Sequence, residues 1–366
     1  MIKQQNRMRY TWIIMATKGY FILTDISGYT EFLTRSELDH AQDTLQNLFD
    51  VQLAHIQYPF VISGFRGDAI FMYVPDTNFC EPQTFLEALE KLYFVFADTL
   101  RQMVQNTTCP CRACQNIARL DLKMVVHHGE YAVQKLGDRE ELLGADVIVP
   151  HRMLKNNVIE KTGIQSYALF SEAAVEASQL LQLAYPLVPH SEVYEHIGEV
   201  GMQVLDLRRV WESEQEKHRF VVSPEEAWLT FEWNTPHSLS RVWEYLTTPR
   251  LEQEWAGYDK VERTDLLGGR MQAESTYHCA HGELHFFNKI LDWKPLEYVS
   301  LEQTISLGIK LVETRRLRES ADGTKISFSM LQPEPPIDEE TKQFLIEGFN
   351  QYVTGMLKQL DEETTG

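Results

Sequence analysis

The sequence predicts an α+β chain in two parts: an N-terminal α/β sandwich and a C-terminal unit in which a sheet grips a long helix around an internal cavity. Three observations predict it. At 366 residues the chain exceeds the length, about 250–300 residues, at which one hydrophobic core stops growing, and 43% apolar residues are enough for two. From Tyr20 to about Leu207, β-branched or aromatic runs alternate with longer amphipathic stretches. Beyond about residue 225 the alternation gives way to a series of strands closed by one helix.

In the first part "YFILTD", "FVISGFRGDAIFMYV", "LDLKMVVHHGEY" and "QSYALFS" read as strands. "TEFLTRSELDHAQDTLQNLFDVQLAHI", "PQTFLEALEKLYFVFADTLRQMVQN" and "SEAAVEASQLLQL" read as helices, the first with Phe32, Leu38, Ala41, Leu45, Leu48 and Phe49 near a 3.6 period. The charged "WESEQEKHRFVVSPEEAW" suits a linker. After it come the strand "AWLTFEWNT", the short helix "HSLSRVWEYLTT", and strand candidates "MQAESTYHCA", "ELHFFNKILDWK", "YVSLEQTIS", "IKLVETRRLRES" and "TKISFSMLQ". A helix from about Asp338 to Leu360 follows, with Phe344, Leu345, Phe349, Tyr352, Val353, Met356, Leu357 and Leu360 on one face. The expected organisation is therefore 1–18 as an extension, 19–210 as the sandwich, 211–224 as the linker and 225–362 as the grip. Met15 is an alternative start.

A formal charge of −19 argues against wrapping a nucleic-acid backbone, which calls for a basic stripe. "YTWIIMA" is far shorter than the roughly 20 apolar residues of a membrane span, so no membrane partner is expected. Five cysteines, three of them in "CPCRAC", do not form a secreted disulfide framework, and the cytoplasm is the expected compartment.

Asp25 stands directly after an apolar strand and directly before "ISGYT", where a helix start would welcome phosphate. A carboxylate there repels phosphate unless a cation lies between them. Asp68, at the Gly67-Asp68 turn between two strand runs, supplies a second acid. Two such carboxylates can hold Mg²⁺ or Mn²⁺ that bridges a triphosphate. The plainer alternative makes Asp25 a helix N-cap and Asp68 a turn residue.

"FILTDISGYTEFL", "GFRGDAIFMYV", "MVVHHGE" and "LLGADVIVPHRMLKNN" occur in the order, and at about the spacing, of the class III adenylate and guanylate cyclase catalytic domain, which the chain resembles from about Gly19 to Val158. The "DISGYT", "GDA", "HHG" and "HRMLKN" motifs place it near a divergent bacterial subgroup. The resemblance implies a ferredoxin-like sandwich and a homodimer whose active site forms between subunits. It also implies metal ligation by Asp25 and Asp68, phosphate cradled by the backbone of Ile26, Ser27 and Gly28, and transition-state stabilisation by Arg152. Departures matter as much. Gly64 stands where the family has a base-reading Lys, Ile148 where it has a ribose-orienting Asn, and Glu141 at a second base-reading position, while Pro150 disturbs the helix carrying Arg152. Each lost transition-state donor costs about 10²–10³ in rate. Arg66 can restore some of the missing positive charge.

Cys109, Cys111 and Cys114 in a C-x-C-x-x-C knuckle suit zinc, with the fourth ligand drawn from His127, His128 or Cys80 and His127 placed first. The alternative is three ordinary thiols in a helix-to-strand connection. In "YHCAHGELHFF", alternation expects His281 and His285 on one face with Cys279, His278 on the other, and cavity or surface roles for all of them.

From about Glu225 to Leu360 the order of elements, with "VWEYLTTPRLEQEW" and "LDWKPLEYVSLE", resembles the START/polyketide-cyclase-like (SRPBCC) superfamily. That implies a cavity for an apolar or aromatic small molecule, with Trp228, Trp233, Trp243, Trp255 and Trp293 as candidate walls. The functional expectation is a cytosolic sensor coupling a catalytically impaired nucleotide-cyclase-like domain to that cavity. The alternative is an active cyclase acting on a nucleoside triphosphate with two metal ions, and a weaker one is a hydrophobic-ligand carrier.

Overall fold

The apolar run after Lys18 becomes the central strand of a sheet because every residue from Gly19 to Thr24 is buried, one face against helices and the other against a second apolar layer. The structure, a computed structural model, describes residues 17–106, 109, 111–137, 139–183, 185–265, 270–306 and 308–365; Met15 and the rest of 1–16 lie outside them.

Strand β1 (Thr17–Ser27) leads through α1 (Tyr29–Arg35) and α2 (Leu38–His55) to the hairpin of β2 (Val61–Arg66) and β3 (Ala69–Pro75). The single helix read from the sequence is thus two, broken where Ser36 and Glu37 are extended. Helix α3 (Pro82–Asn106), the short α4 (Arg112–Asn116) and β4 (Asp121–Leu136) complete a βαββαβ unit of strand order β2-β3-β1-β4, the ferredoxin-like arrangement. β5 (Arg139–Leu143), α5 (Ala145–Met153), α6 (Val158–Thr162), β6 (Tyr167–Ser171) and α7 (Glu172–Ala177) follow, and then the hairpin of β7 (Val188–Tyr194) and β8 (Gly198–Asp206) extends the same sheet. Sequence reading missed that hairpin: in β7 the apolar Val188 and Val193 are exposed while the polar His190 is buried, so the inward face carries no clear apolar alternation.

Helix α8 (Leu207–Glu216) runs into the stretch expected as a linker. Beyond it the backbone of Phe220 and Val222 is tied to the second sheet, by Phe220 N–H donating to Asp292 at 2.8 Å and Val222 N–H donating to Thr314 Oγ1 at 2.8 Å.

The second sheet is antiparallel, in order β10-β11-β12-β13-β14-β15-β9. Its strands are β9 (Leu229–Thr235), β10 (Lys260–Asp265), β11 (Thr276–His281), β12 (Leu284–Lys294), β13 (Tyr298–Ile305), β14 (Ile309–Ser320) and β15 (Gly323–Met330). α9 (Leu239–Thr247) and α10 (Pro249–Ala256) sit between the first two, and α11 (Glu339–Thr365) closes the grip with Leu345, Val353, Met356 and Leu360 buried. The chain is a mixed α+β protein.

Helix α3 joins the halves. Phe85, Leu89, Leu92 and Phe96 belong to the core under the first sheet, while Glu87 is fully buried and accepts the indole N–H groups of Trp243 (3.0 Å) and Trp293 (2.8 Å) from the second half. Lys91 reaches Glu297 at 2.6 Å. A cleft of about 590 Å³ lies along this junction, lined among others by Glu81, Gln83, Arg241 and Glu244.

Candidate functional site

Asp25 lies on the face of β1 that carries Phe21 and Leu23, near the strand's end, in register with Ala69 of β3 on one side and Lys123 of β4 on the other. Asp68 occupies the turn immediately before Ala69, where Gly67 takes φ +69°, a conformation that glycine adopts without strain. The pairing of β1 with β3 therefore brings the two acids together at one end of these strands. Asp68 senses it: burial raises its carboxyl above the ordinary range, the charge of Asp25 raises it further, and Lys123 partly opposes both.

Lys123, which sequence reading passed over, donates to Asp25 at 3.1 Å, with the side chains only 20% and 16% exposed. Its signal was a lone lysine inside the buried strand "LDLKMVV", but the register that sets it against Asp25 is a tertiary fact. Two carboxylates and one ammonium leave net negative charge, and oxygen donors of this kind suit Mg²⁺ or Mn²⁺.

The other anticipated residues spread around this corner. Ile26 is buried in the helix-side core, so only its backbone can face a ligand; Ser27 ends β1, and Gly28, at φ +83°, starts α1. A side chain at Gly28 would press on the carbonyl of Arg119 at 3.0 Å. Arg66 ends β2 and pairs with Glu141 of β5 at 3.2 Å, so the positive charge expected there already has a carboxylate partner. Helix α5 passes through Pro150 unbroken, with Ile148 52% exposed and Arg152 exposed in its last turn. Its start is pressed on β4: a Cβ at Gly129 would collide with Asp146 at 2.4 Å, and the Asp146 carboxylate accepts the N–H of Glu130 at 2.7 Å.

The cysteine knuckle gathers, but not around the expected histidine. His127 is buried on β4, where Nδ1 lies 2.8 Å from Ser171 Oγ, and burial pushes its pKa down to about 4. His128 pairs with Asp76 at 3.0 Å, and Cys80 is buried beside Glu244. The imidazole that meets the sulfurs is His40, from the first turn of α2: its Nδ1 lies 3.2 Å from Cys111 Sγ, 3.6 Å from Cys109 Sγ and 3.8 Å from Cys114 Sγ. Separations of 69, 71 and 74 residues divide His40 from the three cysteines, so no spacing rule could have named it.

In the second half a cavity of about 160 Å³ opens between the sheet and α11. Its walls are Tyr258, Leu284, Phe286, Ile305, Phe344 and Phe349, with none of the five candidate tryptophans; Trp243 and Trp293 serve the junction, and Trp255 packs on Tyr352. At its inner end Arg315 donates to Glu313 at 2.7 Å and to Tyr352 Oη at 2.8 Å, and Tyr352 donates to Glu252 at 2.8 Å. Burial raises the Glu252 carboxyl. Glu313 and Arg315 face inward with Ile309, Leu311 and Leu317, alternate positions of β14. The expected histidine faces also change: His278 and His285 lie 2.9 Å apart, because the short turn between β11 and β12 reverses parity and sets Ala280 opposite His285.

A family model described as a protein of unknown function (DUF2652) matches residues 45–162. The chain is 30% identical over 148 residues to the uncharacterized protein Rv2561/Rv2562 of Mycobacterium tuberculosis, a match covering 40% of this chain and 66% of that protein, just short of two thirds of its length. Among solved structures it is similar to the adenylyl cyclase CyaB from P. aeruginosa, at 16% identity and a TM-score of 0.40 over 52% of this chain and 95% of that one. It is also similar to DynU16 of the dynemicin biosynthetic locus, at 16% identity and a TM-score of 0.32 over 37% and 47%. Among the described residues no helix is long and apolar enough to cross a membrane.

Proposed function

We propose that the protein is a cytosolic, homodimeric sensor whose sandwich domain, 19–210, binds a nucleoside triphosphate through Mg²⁺ or Mn²⁺ without cyclising it. A segment at 211–224 would join this domain to a ligand-binding domain, 225–362. The observation that carries the reading is the convergence of Asp25 and Asp68 on the single ammonium of Lys123. That corner keeps unneutralised negative charge on hard oxygen donors, and a divalent cation relieves it. In this reading Asp25 and Asp68 hold the ion, which supplies the positive charge that draws phosphate oxygens to the turn at Ile26, Ser27 and Gly28. Arg152, exposed on α5, is free to face a partner subunit.

The same corner argues against turnover. Gly64 and Glu141 offer no base-reading cation, since Arg66 is spent on Glu141, and Ile148 presents a hydrocarbon surface where a ribose would need a donor. In the C-terminal domain the cavity suits an apolar molecule of single-ring size, a cavity of about 150 Å³ being enough for benzene.

The test is Mn²⁺ and nucleotide binding measured on the full chain together with analysis for cyclic product and pyrophosphate. Expected are Mn²⁺-dependent nucleotide binding, weakened at least about tenfold in Asp25→Asn, and no cyclic product. Cyclic nucleotide formed by the parent and lost in Asp25→Asn would replace this reading with an active cyclase. Failure to bind either metal or nucleotide would overturn both.

A further inference from the structure

The connection between α3 and β4 buries Ala113, Ile117 and Leu120 in the core and is folded against the start of α2. Cys111 caps α4, its sulfur accepting the N–H of Cys114 at 3.4 Å, and the Glu37 carboxylate just before α2 accepts the N–H of Ala113 at 3.1 Å. From this docking His40 Nδ1 and the sulfurs of Cys109, Cys111 and Cys114 come to lie within 4.8 Å of one another. All three cysteines are free of disulfides. Three sulfurs around one imidazole nitrogen is a donor set that cross-linking any two of them would spoil.

We infer that His40, Cys109, Cys111 and Cys114 bind one zinc ion as a closed, structural tetrahedral site. The geometry supports it directly. With Zn–S near 2.3 Å and Zn–N about 2.0–2.1 Å, a tetrahedron sets nitrogen and sulfur about 3.6 Å apart. The three observed separations, 3.2, 3.6 and 3.8 Å, bracket that value. Three soft thiolates select zinc over magnesium or calcium, and four protein ligands leave no open position for substrate. The ion would fasten the first turn of α2 to the segment that includes Arg119, whose carbonyl backs Gly28 next to Asp25. Zinc is thus assigned a mechanical role beside the acid pair and not a part in it.

The experiment is elemental analysis of full-length protein purified without chelator, repeated for His40→Asn and His127→Asn, with cobalt substitution as a second readout. Because His40 is exposed, its replacement does not open the core. Expected are about one zinc per chain, at least about a tenfold loss of zinc affinity in His40→Asn, and full occupancy in His127→Asn. The cobalt form should show the thiolate charge-transfer and d–d bands of a tetrahedral site. Less than about 0.2 zinc per chain, a different metal at stoichiometric level, or zinc retained in His40→Asn and lost in His127→Asn would each overturn the assignment. The result does not depend on whether Asp25 and Asp68 bind nucleotide.

Discussion

Two places in the molecule set a pair of carboxylates against a single cation, and they resolve the imbalance in opposite ways. At one end of the central strands of the first sheet Asp25 and Asp68 share Lys123, with part of each ion-pair partner still open to solvent. Inside the second sheet Glu313 and Glu252 share Arg315, and Arg315 and Glu313 are 3% and 1% exposed. The sealed cluster is bridged internally, with only one Glu313 carboxylate oxygen left without a hydrogen bond: Tyr352 links Arg315 to Glu252, and burial raises the Glu252 carboxyl. Among the described residues no such bridge joins the open pair. One cluster is tied up within the fold; the other is the one proposed above to receive a cation.

The sharpest way to break this comparison is to remove the cation from each. Arg315→Met should destabilise the protein by about 3–5 kcal/mol, because the buried carboxylates of Glu313 and Glu252 lose the guanidinium of Arg315; chemical denaturation would measure it. Replacing Glu313 by Leu in the same chain should recover most of that loss, since a buried pair removed as a whole is often neutral. A loss below about 1 kcal/mol in Arg315→Met, the range of exposed pairs, would erase the distinction.

A third cluster tests where the boundary lies. Glu90 of α3 is buried with Arg270, Glu87, Glu214 and Tyr185 around it, and burial pushes its pKa up to about 7, with Arg270 opposing. Below the ordinary glutamate value both folded and unfolded chains hold the proton. Between about 4.5 and 7 only the folded chain does, so this contribution to stability falls as pH rises and levels off above about 7. Glu90→Gln should remove that slope and leave the variant more stable than the parent at pH 8, by on the order of 2–3 kcal/mol in urea denaturation. Parallel stability curves for the two proteins from pH 5 to 8 would place Glu90 with the open pair.

How much of this was legible in the sequence follows from what each feature depends on. The alternating runs, the final helix and the place of Asp68 in the β2–β3 turn are local, and the chain displays them openly; Asp25 meets Asp68 only through the pairing of β1 with β3. The exact partners do not. Lys123 meets Asp25 only through the β1–β4 register, and His40 meets the cysteines only because α2 and α4 dock. His127 drew attention by its nearness in sequence, yet its strand points it into the core. Arg315 and Glu313 could have been noticed as charges at alternate positions of an otherwise apolar strand face. The break between α1 and α2 carried no glycine or proline to mark it.

The smallest effect is the most informative about the open pair. Lys123 competes for the charge that a metal would use: its ammonium lies 3.1 Å from Asp25. Lys123→Met keeps the length of the side chain and removes the competitor. The fold should lose no more than about 1 kcal/mol, as expected of a partly exposed pair. Mn²⁺ affinity should rise roughly tenfold, about 1.4 kcal/mol, in calorimetric titration of the full chain. The gain over the parent should be somewhat larger at low than at high ionic strength, because salt screens part of the charge of the partly buried ammonium. If Mn²⁺ affinity instead falls when Lys123 is removed, the lysine helps to build the site, and the open corner is as self-contained as the sealed cluster around Arg315.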